Sequence, residues 1–295
     1  MKIKYFYDKE IKAADIKLFH KSFQNYNAKF VKNDNYIPVN YAIYSDKKNI
    51  IGGIIAGVYW NWLTVDRFFL YDKYRNPDLM TELWHFIENI AIKYKIYNIS
   101  TKSLLKPEQK FLVNYGFKIS GMLENRPPGF NCYYLEKKIE KTHSPNLVSN
   151  FHIEPINKED TKIVIESGNK FNEEKFNKYP FYNYQIIMKD AQTLVGGITG
   201  YIGWRWQYID ILWVSEEYRG LGLGSSLLKK SEKIALGKNV VGIFLGTTDF
   251  QAKAFYLNHG YKIFAIKKNF PKGYNNYSMK KMLKNNKKNS LKKGS

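Results

Sequence analysis

An internal repeat constrains this chain more than any other feature. Residues 52–137 lie over residues 196–281 at a fixed offset of 144 without a gap, and 25 of the 86 pairs are identical. Gly52-Gly53-Ile54 returns as Gly196-Gly197-Ile198, Trp60 and Trp62 as Trp204 and Trp206, and Asp66 as Asp210. Tyr74-Arg75 returns as Tyr218-Arg219, and Asn125-x-Pro-x-Gly as Asn269-x-Pro-x-Gly. Two copies are too few for a solenoid, so the chain reads as a duplicated domain, and 295 residues suffice for two domains with a core each.

Hydropathy gives both copies one order of elements. In the first, Ile3 to Tyr7 reads as a strand, and Ile11, Ile16, Leu18, Phe19 and Phe23 recur at helical spacing. Strand signals follow at 41–44, 50–59 and 63–70, then a helix over 82–94 and a strand over 97–101. A helix begun by Pro107 runs to Asn114 and is stopped by Gly116, after which Phe117 opens a last pair of strands. An antiparallel meander followed by helix, strand, helix and closing strands is a mixed α/β (α+β) order. Residues 141–150, with Ser144-Pro145-Asn146, lack periodicity and read as a linker, which divides the chain into 1–140, 151–283 and a tail, 284–295.

Composition removes several classes of function. Apolar residues make up 44% and aromatics 17%, too many for general disorder. No run of about 18 uncharged apolar residues could span a membrane. Met1-Lys2-Ile3-Lys4-Tyr5 lacks the apolar core of a signal peptide, so the expectation is a cytoplasmic protein without membrane contact. Cys132 has no partner for an internal disulfide and no Cys/His cluster has zinc spacing, so no metal is expected. The formal charge is +21, but seven lysines fall between Lys280 and Lys293 in a tail that reads as basic and disordered. The remaining +14 is spread over both halves, which leaves a nucleic acid or other polyanion open as a partner and suits a solvated surface equally.

The second copy carries a loop that the first does not. Gly220, Gly222 and Gly224 alternate with Leu221 and Leu223 between a strand-like run (208–214) and a helix-like one (227–236). Glycines there let the backbone curl so that successive amides point at anionic oxygens from a helix N-terminus. The first copy instead reads Arg75-Asn76-Pro77-Asp78-Leu79-Met80. Pro77 has no amide hydrogen, Asp78 sets a carboxylate against an anion, and Met80 adds bulk.

Arg219-x-x-Gly222-x-Gly224 resembles the acetyl-coenzyme A signature of the GNAT N-acetyltransferases. Ala252-Lys-Ala-Phe-Tyr256-Leu-Asn-His-Gly260-Tyr261 is similar to that family's second element, and Phe270-Pro271-Lys272-Gly273 to a closing stretch in one bacterial branch. The resemblance implies two tandem GNAT-like acyl-CoA N-acyltransferase domains, the first degenerate, with acetyl-CoA as cosubstrate of the second. It implies that Leu212, Trp213 and Val214 meet the pantetheine arm and thioester. Backbone from Arg219 through Gly220, Leu221, Gly222, Leu223, Gly224 and Ser225 would hold the pyrophosphate, and Tyr256 would act as the acid. Opposite Tyr256 the first copy has Leu112.

Asp210 stands on the strand leading to the loop and is a candidate base for the amine proton. Asp66 holds the same place in the cradle-less copy, which favours a structural hydrogen-bonding role instead. Asp249 reads as a cap for the helix bearing Tyr256, and His259 as a C-terminal capping or surface histidine. Trp60, Trp62, Trp204, Trp206 and Trp213 read as core, or as an aromatic wall for a cationic acceptor. The expected acceptor is a primary amine on a small metabolite, polyamine or antibiotic. The alternatives are a protein amine or aminoacyl-tRNA, and a non-enzymatic acyl-CoA-binding or assembly module. The oligomeric state is open, and the two domains could pair as an internal pseudo-dimer.

Overall fold

The computed structural model of the chain describes residues 2–31, 36–46, 49–140, 151–176 and 178–283. The linker and the basic tail expected from the sequence lie outside the described residues. The first half runs β1 (Ile3–Tyr7), α1 (Ala13–Ala28), β2 (Ile37–Tyr44), β3 (Ile50–Tyr59), β4 (Trp62–Leu70), α2 (Pro77–Lys93), β5 (Asn98–Ser103), α3 (Lys106–Asn114), β6 (Lys118–Leu123) and β7 (Cys132–Lys138). The second half runs β8 (His152–Pro155), α4 (Lys158–Phe176), β9 (Tyr182–Asp190), β10 (Thr193–Gly203), β11 (Trp206–Val214), α5 (Leu223–Gly237), β12 (Gly242–Thr248), α6 (Lys253–Asn258), β13 (Lys262–Lys267) and β14 (Asn276–Met282).

Two seven-stranded, mostly antiparallel sheets result, ordered β1-β9-β10-β11-β12-β14-β13 and β8-β2-β3-β4-β5-β7-β6. At the offset of 144 the six inner assignments correspond strand for strand. The first strand of each sheet does not come from its own half. Ile3 to Tyr7 of β1 pair antiparallel with Asp190 to Ile186 of β9, and His152 to Pro155 of β8 pair with Tyr44 to Tyr41 of β2. The helices travel with these strands: α1 packs on β10 and α4 on β3.

The paired glycines explain how the helices fit. A Cβ on Gly53 would stand 2.3 Å from Val164 Cγ1, and one on Gly197 would stand 3.0 Å from Phe19 Cε2. Bare backbone at those points lets each helix lie against its sheet, with Phe19 of α1 and Val164 of α4 fully buried there. The repeat alone divides the chain at 141–150, but the pairings divide it otherwise. One compact unit is Met1–Lys32 with Pro180–Ile263 and the chain from Tyr277 on, and the other is Asn33–Tyr179 with Phe264–Asn276. They are called units one and two below.

Two helices begin earlier than the apolar period indicates. α2 starts at Pro77 rather than near 82, because Asn76 caps it and proline suits the first helical turn. α5 starts at Leu223 rather than 227, directly on the left-handed Gly222 (φ +75°). The cap residues, not the apolar period, set these starts, although Leu79, Met80 and Leu223 of the added turns are buried.

The exchanged helix has a testable consequence. Phe19→Ala removes a fully buried ring of α1 that stands edge-on to Trp213, and should cost about 3–5 kcal/mol. Amide exchange should show the loss in β9 to β11, 160 or more residues away in sequence, with β2 to β4 unaffected.

Candidate active site

β11 and β12 run parallel and pair from Trp206↔Gly242 to Ile209↔Leu245, after which the register stops although both strands continue. The strands therefore splay beyond Ile209, and a cleft of about 450 Å³ opens between them. One wall carries Asp210, Leu212, Trp213 and Val214 of β11, the other Gly246 and Thr247 of β12 with Phe255 and Tyr256 of α6. Arg219, Gly220, Gly222, Leu223, Gly224 and Ser225 close one end. The structure thus brings together every site residue expected from the sequence except Leu221, whose side chain is 56% exposed outside the cleft.

The loop is shaped for an anion. Gly220 and Gly222 have φ of +79° and +75°, which side-chain-bearing residues rarely adopt, and a Cβ at either would meet no atom within 4 Å. Ser226 N bonds Gly222 O, so the helix ladder starts there and the amides of Leu223, Gly224 and Ser225 have no preceding turn to bond. These donors, at the positive end of a helix dipole and beside open space, fit a pyrophosphate. Arg219 contributes differently. Its amide bonds Glu216 O, its Nε donates to Val214 O at 3.1 Å, and its guanidinium stacks on Tyr26 at 4.4 Å.

Unit two shows the same scaffold with its donors consumed. Arg75 Nε donates to Leu70 O and stacks on Phe171, repeating the contacts of Arg219 at equivalent positions. There the helix is capped two residues earlier: Asn76 Oδ1 accepts from Leu79 N at 2.8 Å and Asn76 O from Met80 N at 3.0 Å. Leu79 and Met80 correspond to Leu223 and Gly224. Glu108, at the place of cleft-lining Ala252, adds a carboxylate that accepts from Ser103 and whose pKa burial raises.

Tyr256 and Asp210 line the cleft of unit one, and His259 stands behind its Ser225. Tyr256 is 5% exposed, and its hydroxyl has no hydrogen-bond partner among the described residues. Burial pushes this phenol well above its ordinary pKa, so it stays protonated as a donor. The Asp210 carboxylate likewise has no hydrogen-bond partner among the described residues, a finding that counts against a structural role. Desolvation raises its pKa, opposed by the charge of His20 on α1. His259 bonds Phe255 O through Nδ1 at 2.8 Å and Ser225 Oγ through Nε2 at 2.9 Å. It therefore caps α6, as expected, and also fixes a hydroxyl at the mouth of the anion loop.

Other expectations are corrected. Asp249 accepts from Tyr277 Oη at 2.7 Å, while the N-cap position of α6 is Ala252, whose amide bonds Thr247 Oγ1 at 3.2 Å. Trp62 and Trp206 are buried in the two units, whereas Trp213 is half-buried and lines the cleft. Sequence reasoning missed Phe23 and Tyr26 of α1, which also line the cleft. Phe23 read only as part of an apolar helical period, Tyr26 carried no signal, and nothing local ties either to a loop nearly 200 residues on.

The site is thus a splayed parallel strand pair with an amide cradle at one end and a buried phenol in its wall. A profile described as "Acetyltransferase (GNAT) family" matches residues 152–261. Over 91 residues the chain is 37% identical to the blasticidin-S acetyltransferase of Streptomyces morookaense, covering 30% of this chain and 67% of that protein. It is 29% identical over 75 residues to the acetyltransferase Atu2258 of Agrobacterium fabrum, covering 25% of this chain and 55% of that one. A crystal structure of an acetyltransferase from Bacillus cereus aligns at 31% identity with a TM-score of 0.43, covering 45% of this chain and 97% of that one. The chain belongs to the GNAT acetyltransferase family and is an acetyl-CoA-dependent N-acetyltransferase. No helix among the described residues is long and apolar enough to cross a membrane.

Asp210→Asn tests the two readings of that residue. A raised carboxylate pKa means the folded state binds its proton more tightly, so stability falls as pH rises from the ordinary aspartate range through the raised value. Because Asp210 is exposed, any gain is screened, and the amide variant should melt no lower than the parent at neutral pH. A structural hydrogen-bonding role predicts a loss of stability in thermal scans at neutral pH instead.

Proposed function

We propose that this chain is a tandem acetyltransferase in which unit one alone binds acetyl-CoA and passes the acetyl group to the primary amine of a small molecule. The observation that carries this reading is the opening of three things into one cleft: the free amides of Leu223 to Ser225, the unpartnered Tyr256 hydroxyl and the unpartnered Asp210 carboxylate. When bound, acetyl-CoA supplies the thioester acyl group and departs as a thiol. The amides hold the pyrophosphate, and the splayed edge of β11 from Leu212 to Val214 receives the pantetheine arm. Asp210 takes the proton that the acceptor amine must lose, directly or through water, as nitrogen bonds the acyl carbon. Tyr256 donates its hydroxyl hydrogen toward the sulfur as the carbon–sulfur bond breaks.

The acceptor side favours a compact cationic amine. Phe23 and Trp213 offer ring faces and Asp210 the one carboxylate of the cleft lining, a combination that attracts an ammonium group carried on a flat or apolar body. An amine-bearing antibiotic of the kind named for the Streptomyces relative has that character.

The deciding experiment incubates the protein with acetyl-CoA and a panel of small amines while following free thiol and product mass. Calorimetry should show one acetyl-CoA per chain, since Asn76 and Glu108 occupy the corresponding place in unit two. Gly222→Asp adds a strained side chain and a negative charge beside the pyrophosphate and should weaken binding by at least about 10²-fold. Two equivalent sites, or retained affinity in Gly222→Asp, would overturn the assignment of the loop. Tyr256→Phe keeps the ring and deletes the donor, so kcat should fall by roughly 10²-fold with acetyl-CoA affinity little changed. Unaltered turnover, measured where chemistry limits the rate, returns Tyr256 to a packing role.

A further inference from the structure

The anion loop is itself exposed from Glu216 to Gly222 apart from half-buried Tyr218. Its anchors reach back to the first residues of the chain. Lys29 Nζ meets Glu216 Oε2 at 2.7 Å, the Arg219 guanidinium lies 4.4 Å from the Tyr26 ring centroid, and Tyr5 Oη shares a hydrogen with Ser226 Oγ at 2.8 Å. The same end of α1 also holds the opposite wall. Tyr26 Oη donates to Phe250 O at 3.1 Å, Gln251 Nε2 donates to Asn27 Oδ1 at 3.0 Å, and the Phe30 and Phe250 rings stack at 4.9 Å. Phe250 and Gln251 form the turn that leads into α6 and so set where Tyr256 stands.

Unit two repeats one half of this arrangement. Arg75 lies over Phe171 at 5.0 Å and Lys175 pairs with Asp72, in the places of Arg219, Tyr26, Lys29 and Glu216. Phe171 has no hydroxyl, so the second anchor, toward the turn before α3, is not available from that ring. The part shared by both units supports the fold. The added hydroxyl contact occurs where the cradle amides are free.

We propose that Tyr26 is a positioning residue for coenzyme binding, a latch that holds the anion loop and the turn before α6 at the separation the coenzyme requires. The proposal rests on the reading of this cleft as the acetyl-CoA site. Its physical basis is preorganisation: a short exposed loop with two glycines at positive φ loses binding free energy if it must be ordered by the ligand. An aromatic ring under the guanidinium and a hydroxyl on the facing backbone remove that cost beforehand. Residues 1–32 are then part of the binding machinery of a site that lies near residue 220.

The test measures acetyl-CoA affinity by calorimetry on the full chain, with thermal melting beside it and steady-state kinetics as a further readout. Tyr26→Leu should weaken acetyl-CoA binding roughly tenfold through loss of the stacked ring and hydroxyl. Tyr26→Phe keeps the ring and should hold affinity within about threefold while lowering kcat, because only the contact toward α6 is lost. Phe171→Leu makes the matching change in unit two and should lower the melting temperature with affinity unchanged. Lys29→Glu should weaken binding, and adding Glu216→Lys should restore it. Wild-type affinity in Tyr26→Leu, or equal weakening in Phe171→Leu, overturns the latch while leaving the coenzyme site standing. A parent chain that binds no acetyl-CoA overturns the reading of the cleft and the latch with it.

Discussion

Five residues of antiparallel ladder, Ile3 to Tyr7 against Ile186 to Asp190, decide where the rest of this chain can be useful. They bring α1 onto the Gly197 face of β10, where no other helix of the described residues approaches so closely, and so set Phe23 and Tyr26 over the splayed end of β11. Without that ladder the β9 edge is an unpaired row of donors and acceptors and the cleft lacks a wall. Backbone pairing between distant segments is slow to form, since loop closure precedes the contacts that reward it. Once formed, it is reinforced by buried side chains such as Phe19, Ile186 and Ile187.

The comparison of the two units separates scaffold from chemistry more cleanly than either unit alone. Arg219 belongs to the sequence signature of the loop. Arg75 nevertheless makes the same contacts beside a helix end that Asn76 has already capped. The arginine side chain therefore works for the scaffold in both units, joining the loop to the end of its strand and to the exchanged helix. What differs is which amides are spent. A cap two residues earlier uses Leu79 and Met80 internally, whereas the left-handed Gly222 starts α5 late and leaves Leu223, Gly224 and Ser225 for a ligand.

Much of this was legible in the sequence because it depends on local patterning. The strand and helix order and the glycine loop follow from period, turn residues and spacing within one copy, and Asp210 from its place on the strand before that loop, whereas Tyr256 came only with the family resemblance. The exchange of β1 and α1 for β8 and α4 was not, because each helix suits either sheet equally: Phe19 and Val164 both read as the apolar face of an amphipathic helix. Nothing in a single sequence records which Gly-Gly face each will meet. The same limit hid Tyr26. Glu108 escaped notice for a different reason, since a carboxylate in the first turn of a helix is ordinarily a solvated dipole partner, and only the structure shows it half-buried with Ser103 donating to it.

The exchange also ties the copy without a cradle to the other copy. Sheet one needs the chain's first strand and helix, and sheet two needs the strand and helix that follow residue 151. Each half thus supplies the other with the element that covers its Gly-Gly face, so neither contiguous half contains a complete sheet. The polypeptide of the first copy is the covalent route from α1 to β9. Loss of the first copy's own chemistry costs nothing in this arrangement, because its donors were never needed to hold α1 in place.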